Sequence, residues 1–211
     1  MSREDALSYL ALGDSYTIGE GVRSEERWTS FLVKQLREDH LSIAFPRTIA
    51  VTGWTCDELT EGMRSAMPPL SAEYELVSLL IGVNDQYRGY PLAEYADRFT
   101  RLLERAIELA QGRRDRVFVM SIPDWGVTPY AAGLDPARDP AQIAIELDQY
   151  NATAERICDQ HGVAFVDHSD ISRALCVDPA NLAADGLHPG AAVYRAWADR
   201  AYPVVKRLLA S

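Results

Sequence analysis

Short apolar runs alternate with longer amphipathic stretches along this chain. Five runs have the length and composition of buried strands, at residues 7–12, 48–51, 75–81, 116–122 and 163–166. Between them, apolar residues recur at steps of three and four from Leu92 to Ala106 and from Ile143 to Ile157, which predicts helices. Because strands alternate with helices, we expect an α/β fold with a parallel sheet and helices on both faces.

Three further stretches have recognisable local signals. Thr55 followed by Glu58 is a capping-box pattern, which predicts a helix over residues 56–63. The last helix is predicted from about residue 190 to 209, where Pro203 is expected to introduce a kink. Residues 123–140 show no periodicity and contain Trp125 and Tyr130, so we expect a long loop that is functional or mobile, or a plain surface excursion.

Polar or glycine residues follow the first three predicted strands. Ser15 comes after the first strand, Gly53 after the second and Asn84 after the third. Ligands in open parallel sheets bind outside the carboxyl ends of the strands, so these three positions are expected to converge. Asp185 and His188 stand just before the final helix and would complete the same site.

These residue types predict nucleophilic catalysis. A serine hydroxyl is a weak nucleophile and needs a base within hydrogen-bond reach, and we assign that role to His188, with His168 as the rival. Asp185, three residues before His188, can accept the Nδ1 proton and orient the ring, although Asp185-Gly186 is also a common turn pair. The sequence therefore predicts a Ser15, His188 and Asp185 triad.

Acyl transfer also requires donors for the developing oxyanion. The backbone N–H groups of Gly53 and Ser15 and the side-chain amide of Asn84 are the candidates. Three aromatic residues, Trp54, Trp125 and Tyr130, could stack on a sugar ring or line an acyl pocket, or simply pack in the core.

Four segments together resemble the blocks of the SGNH (GDSL-type) hydrolase family, in order and at customary distances. They are Gly13-Asp14-Ser15, Gly53, Gly82-x-Asn84-Asp85 and Asp185-x-x-His188. The resemblance implies a flavodoxin-like, three-layer α/β/α fold with a five-stranded parallel sheet, in one domain over residues 1–211. It also implies ester hydrolysis without a metal or another cofactor. The chain departs from the family pattern at Tyr16, because the family usually has Leu at this position, and the change should affect packing behind the nucleophile. We interpret Asp14 and Asp85 as carboxylates that organise the backbone.

Composition narrows the classes of partner and location. With 21 basic and 31 acidic residues the net charge is −10, which disfavours binding to nucleic acids or anionic lipids. No stretch approaches the roughly 20 apolar residues of a membrane span, and no signal peptide is apparent. The three cysteines have neither pairing nor metal-ligand spacing, so we expect reduced thiols and a cytoplasmic location.

We therefore expect a serine esterase for a small-molecule, short-acyl ester, with an acetyl group on a carbohydrate as one example. A thioesterase, esterase or lysophospholipase-like enzyme for longer acyl chains is the nearest alternative. A ligand-binding module without catalysis is an alternative from another class. A nucleotide-binding module is disfavoured, because Gly13, Gly19 and Gly21 lack the spacing of dinucleotide or P-loop motifs. The sequence leaves the oligomeric state open.

Overall fold

A computed structural model describes residues 6–134 and 137–210 of the chain. Its sheet has five strands in the order β2-β1-β3-β4-β5, and every neighbouring pair is parallel. The strands are β1 (Tyr9–Gly13), β2 (Arg47–Ala50), β3 (Leu76–Leu80), β4 (Val117–Met120) and β5 (Ala164–Val166). This is the flavodoxin-like strand order, so the predicted fold class and all five predicted strands are confirmed.

Helices cover the sheet and follow the strands in sequence. They are α1 (Ser15–Ile18), α2 (Trp28–Glu38), α3 (Cys56–Arg64), α4 (Val83–Tyr87), α5 (Leu92–Leu109), α6 (Pro129–Ala132), α7 (Pro140–His161), α8 (Ser169–Leu175) and α9 (Ala191–Ala210). Helix α5 packs against α3 and α7, whereas α9 packs against α2 and α8. Within the described residues, no helix is long and apolar enough to cross a membrane.

The central strands carry the apolar core because both of their faces are covered. All residues of β1, β3 and β4 are buried, whereas the edge strand β2 is only partly buried. Apolar residues on every position of the inner strands are what a parallel sheet covered on both faces requires. The edge position of β2 places the loop that follows it, which includes Gly53, at one side of the site.

Residues 123–140 contain more regular structure than the sequence predicts. A 3₁₀ turn covers Trp125–Val127, α6 follows, and α7 begins at Pro140, while residues 135 and 136 lie outside the described part. Local caps explain the short elements: the Asp124 side chain accepts from Gly126 N–H and the Thr128 side chain from Ala131 N–H. At the other end of the chain, Pro203 lies within α9 and does not end it.

Candidate active site

Ser15 is the first residue of α1, directly after a tight turn at the end of β1. A Cβ atom at Gly13 would lie 2.3 Å from the Leu80 carbonyl oxygen, so only glycine allows β1 to approach β3 this closely. Asp14 caps α1, and its side-chain Oδ1 accepts from the backbone N–H of Tyr16 at 3.0 Å. The turn therefore presents the Ser15 side chain at the carboxyl end of the sheet.

Two buried carboxyl groups hold the backbone near Ser15 and Gly53, Asp14 at this turn and Asp85 at the start of α3. Burial raises the pKa of Asp14 to about 8, with a contribution from the charge of Asp85, although the Tyr16 N–H opposes the shift. Asp85 accepts from the backbone N–H of Cys56 at 3.0 Å, and burial raises its pKa as well. The predicted role of Asp14 and Asp85 in organising the backbone is confirmed by these hydrogen bonds.

His188 and Asp185 form a compact pair in the loop before α9. The ring Nδ1 of His188 donates to Asp185 Oδ2 at 2.6 Å. Asp185 Oδ1 accepts from the backbone N–H groups of Leu187 and His188, at 2.9 and 3.0 Å. Partial burial would raise the pKa of Asp185, but these hydrogen bonds outweigh it and hold the pKa below its usual value.

The two other candidate donors lie after β2 and β3. Gly53 has a φ of +85°, a conformation that favours glycine, and its carbonyl accepts from Arg88 Nη2 at 2.7 Å. Asn84 Nδ2 donates to the Trp54 carbonyl at 2.8 Å, which uses one of its two N–H groups. The side-chain amide of Asn84 is thereby fixed with one N–H free of that bond.

Most of the predicted site residues line one pocket with a volume of about 130 Å³. Its wall is mostly aromatic and apolar. The lining residues are Ser15, Tyr16, Thr52, Gly53, Val83, Asn84, Tyr87, Trp125, Tyr130, Leu187 and His188. Nucleophile, base and oxyanion candidates thus share one cavity, and Asp185 contacts it through His188.

The three aromatic candidates have different positions. Trp125 and Tyr130 line the pocket, but Trp54 does not. Instead its ring packs on Gly62 of α3. A Cβ atom added at Gly62 would lie only 2.1 Å from Cη2 of the Trp54 ring. Trp54 therefore contacts the site through its backbone carbonyl and not through its ring.

The sequence reasoning missed Tyr87 as a pocket residue. Its ring packs edge-on against Trp125, with centroids 5.3 Å apart, and its hydroxyl lies 3.4 Å from that of Tyr130. The signal was its spacing, because Tyr87 follows Asn84 by nearly one helical turn and so shares its face of α4.

Tyr16, the position that departs from the family pattern, packs behind the catalytic candidates. Its ring is buried, and its centroid lies 5.5 Å from that of His188 and 5.9 Å from that of Trp197. Burial raises its pKa well above the usual value, so the hydroxyl stays protonated. The tyrosine also lines the pocket, where it supplies part of the wall next to His188.

His168, the rival base, lies elsewhere. It is fully buried and packs against Trp197, with ring centroids 4.1 Å apart and ring planes tilted by 32°, and it does not line the pocket. Burial lowers its pKa to about 4, so its ring is neutral at physiological pH.

Among the residues that the structure describes, there is no group of three or more His, Cys, Asp or Glu side chains placed to hold a metal ion.

Comparisons with known proteins identify the family and the fold. Residues 11–196 match the model of the GDSL-like lipase/acylhydrolase family. The fold is similar to TesA (TM-score 0.71, 18% identity, 95% of this chain and 99% of that one). It is also similar to the esterase EstA from Pseudoalteromonas sp., with a TM-score of 0.68 and 17% identity over 97% of this chain and 99% of that one. The acetyl xylan esterase AlAXEase has a TM-score of 0.71 and 17% identity over 94% of this chain and 100% of that one. A search of curated proteins found no match.

Proposed function

The chain belongs to the GDSL-like lipase/acylhydrolase family and is a carboxylic ester hydrolase, and we propose that it cleaves short-acyl esters through a Ser15, His188 and Asp185 triad. One observation carries this proposal. Ser15, His188, Gly53 and Asn84 line a single small pocket, and the His188 ring is held by Asp185 at 2.6 Å. Nucleophile, base and oxyanion donors at one cavity are the requirements for acyl transfer.

In the first half of the reaction, Ser15 Oγ attacks the ester carbonyl carbon while His188 Nε2 takes the hydroxyl proton. The bond to Asp185 keeps the Nδ1 proton in place, so Nε2 is the basic nitrogen, and the carboxylate stabilises the imidazolium that forms. The N–H groups of Ser15 and Gly53 and the Asn84 amide stabilise the oxyanion. His188 then gives the proton to the alcohol oxygen, which leaves.

In the second half, water resolves the acyl-enzyme. His188 takes a proton from the water as its oxygen attacks the acyl carbon, and the same donors stabilise the second oxyanion. The proton returns to Ser15 Oγ as the carboxylic acid is released. Each cycle therefore consumes one ester and one water and restores the free enzyme.

The size of the pocket supports a short acyl group. Pockets that enclose drug-sized ligands measure about 300–1,000 Å³, and this one has about 130 Å³. Tyr87 and Tyr130 are 43% and 37% exposed, so they can contact an alcohol portion that stays outside. The similarity to an acetyl xylan esterase supports an acetyl group on a carbohydrate as one such substrate. The alternative, an enzyme for longer acyl chains, requires a larger pocket.

The proposal includes a cytoplasmic location. Cys56, Cys158 and Cys176 are all free and buried. Free thiols are typical of compartments that glutathione and thioredoxin keep reduced. Fractionation of the native host with an antibody to this chain would test this part separately.

The decisive experiment compares p-nitrophenyl acetate, butyrate and octanoate hydrolysis by the wild type and by Ser15→Ala. We expect the acetate to be the best substrate, and we expect the variant to lose activity on the order of 10⁴-fold or more. Ser71→Ala, at an exposed position outside the pocket, is the matched control and should retain full activity. Preference for octanoate would favour the long-chain alternative, and wild-type activity in Ser15→Ala would overturn the mechanism. A wild type that neither hydrolyses any ester nor reacts with a fluorophosphonate probe would favour the binding module.

A further inference from the structure

A polar chain of hydrogen bonds lies behind the aromatic wall of the pocket. Trp125 Nε1 donates to Gln86 Oε1 at 2.9 Å, and Gln86 Nε2 donates to Glu146 Oε2 at 2.6 Å. Arg138 Nη2 donates to the same Glu146 oxygen at 3.1 Å. The buried indole is therefore connected, through one buried amide, to an ion pair at the start of α7.

Arg138 also covers the wall from outside. Its guanidinium carbon lies 5.2 Å from the Trp125 ring centroid and 5.7 Å from that of Tyr87. In addition, Nη1 donates to the Tyr87 carbonyl oxygen at 3.3 Å. The Arg138 and Glu146 side chains are 30% and 31% exposed, whereas Gln86 and Trp125 are almost fully buried. The charged end of the network is thus at the surface and the aromatic end is inside the pocket.

We propose that Glu146 is a positioning residue that fixes Trp125 and thereby limits the length of acyl group that the pocket accepts. This inference rests on the proposed function. Glu146 does not line the pocket, so it acts only through Gln86 and Arg138. It accepts hydrogen bonds from both of them at one oxygen and from Gln142 at the other.

Removal of the Glu146 carboxylate has a defined effect on this arrangement. Gln86 would keep a buried amide N–H without its acceptor, which is costly unless the amide moves or flips. Either change breaks its bond to the Trp125 indole, because the same amide plane carries both contacts. Arg138 would lose its ion pair and with it the position over the two rings. The Trp125 ring is then free to move and the pocket can accept a longer acyl chain.

The test compares Glu146→Ala with Glu155→Ala, an exposed glutamate on the same helix. The readout is kcat/KM for p-nitrophenyl hexanoate divided by that for the acetate. We expect this ratio to rise about tenfold in Glu146→Ala, which corresponds to the loss of about 1.4 kcal/mol of restraint on Trp125. The kcat for the acetate should stay within about threefold of the wild-type value. Glu155→Ala should leave the ratio unchanged. Glu146→Gln keeps an acceptor oxygen for Gln86 but loses the charge that pairs with Arg138, so its ratio should lie between those of wild type and Glu146→Ala.

A second measurement follows Trp125 directly. Three tryptophans are buried: Trp125 is 2% exposed, and Trp28 and Trp197 are 0% exposed. In a Trp54→Phe background, acrylamide quenching of fluorescence is therefore expected to be weak, and to increase when Glu146→Ala is added. Arg138→Ala is a further variant, with the same expected direction in both measurements, should Glu146→Ala fold poorly.

The two proposals fail in different ways. If hydrolysis depends on Ser15 but the folded Glu146→Ala and Arg138→Ala variants keep the wild-type ratio and quenching, the positioning role is wrong. If the wild type hydrolyses no ester, the proposed function is wrong, and the quenching experiment still decides whether Glu146 fixes Trp125.

Discussion

At the scale of single residues, Asp185 uses both carboxylate oxygens within its own loop. Oδ1 accepts two backbone N–H groups and Oδ2 accepts the His188 ring. The same side chain thus folds the turn and orients the proposed base. This geometry needs only three residues of chain, which is why the Asp-x-x-His spacing was sufficient to predict the pair.

Asp185→Asn tests this dual use. The amide oxygen can still accept from the backbone, but the Nδ1 proton of His188 loses its anionic acceptor and the preferred tautomer changes. We expect kcat for p-nitrophenyl acetate to fall about 10⁴-fold, with unchanged circular dichroism. Asp178→Asn, which changes a cap outside the pocket, is the control. A loss below tenfold would show that the carboxylate is not required to orient the base.

The orientation of Trp54 could not be predicted from the sequence. From the sequence, both a ring in the pocket and a ring packed in the core were open for Trp54, and the structure shows the ring packed on Gly62. The space for it exists only because α3 presents a residue without a side chain at that point. Such a preference arises from a tertiary contact, and neither residue alone indicates it.

At the scale of elements, the strength of local signals decided which parts could be predicted. Strands of continuous apolar residues and long amphipathic helices were evident in the sequence. Helix α2 was not predicted from the sequence. A capping signal is missing there, because its N-cap residue, Arg27, makes no capping hydrogen bond through its side chain. The short elements in residues 123–140 depend on caps and on a bond from Tyr130 N–H to the Gly186 carbonyl at 3.1 Å, a partner far away in sequence.

Helix α3 offers a direct test at this scale because it begins soon after Gly53, a proposed oxyanion donor. Thr55 Oγ1 accepts from Glu58 N–H at 3.4 Å, and Glu58 Oε2 accepts from Thr55 N–H at 2.8 Å, as the capping box predicts. Thr55→Ala should lower the free energy of unfolding by about 1 kcal/mol. Urea unfolding would measure it, with Thr60→Ala in the same helix as a control expected within about 0.5 kcal/mol of wild type. Equal effects of the two substitutions would contradict the assignment of the cap.

At the scale of the whole molecule, buried titratable groups make stability depend on pH in opposite directions. Asp14, with its pKa raised to about 8, takes up a proton more readily in the folded protein, so stability falls as pH rises from about 4 to 8. His168, with its pKa lowered to about 4, takes up a proton more readily in the unfolded chain. Its contribution is present at neutral pH and is lost as pH falls from 6.5 to about 4.

The His168 contribution can be isolated with His168→Phe, which keeps an aromatic ring against Trp197. The lowered pKa corresponds to roughly 3 kcal/mol of stability lost between neutral pH and pH 4. We expect the difference in free energy of unfolding between wild type and variant to change by that amount over this range, because the Asp14 term is common to both. Unfolding by urea at several pH values measures it. Esterase activity at pH 7 should persist in the variant, and its loss in a folded protein would make His168 the base.

The candidate site combines residues that are far apart in the sequence. Ser15 follows β1, which is the first strand in the sequence and lies second in the sheet. His188 precedes α9, which packs on α2 and α8. In the proposed mechanism, a nascent chain whose His188 is still inside the ribosome carries Ser15 without its base and cannot hydrolyse an ester. In a refolding sample, the rate of ester cleavage then counts only those molecules in which the segment that carries His188 has docked.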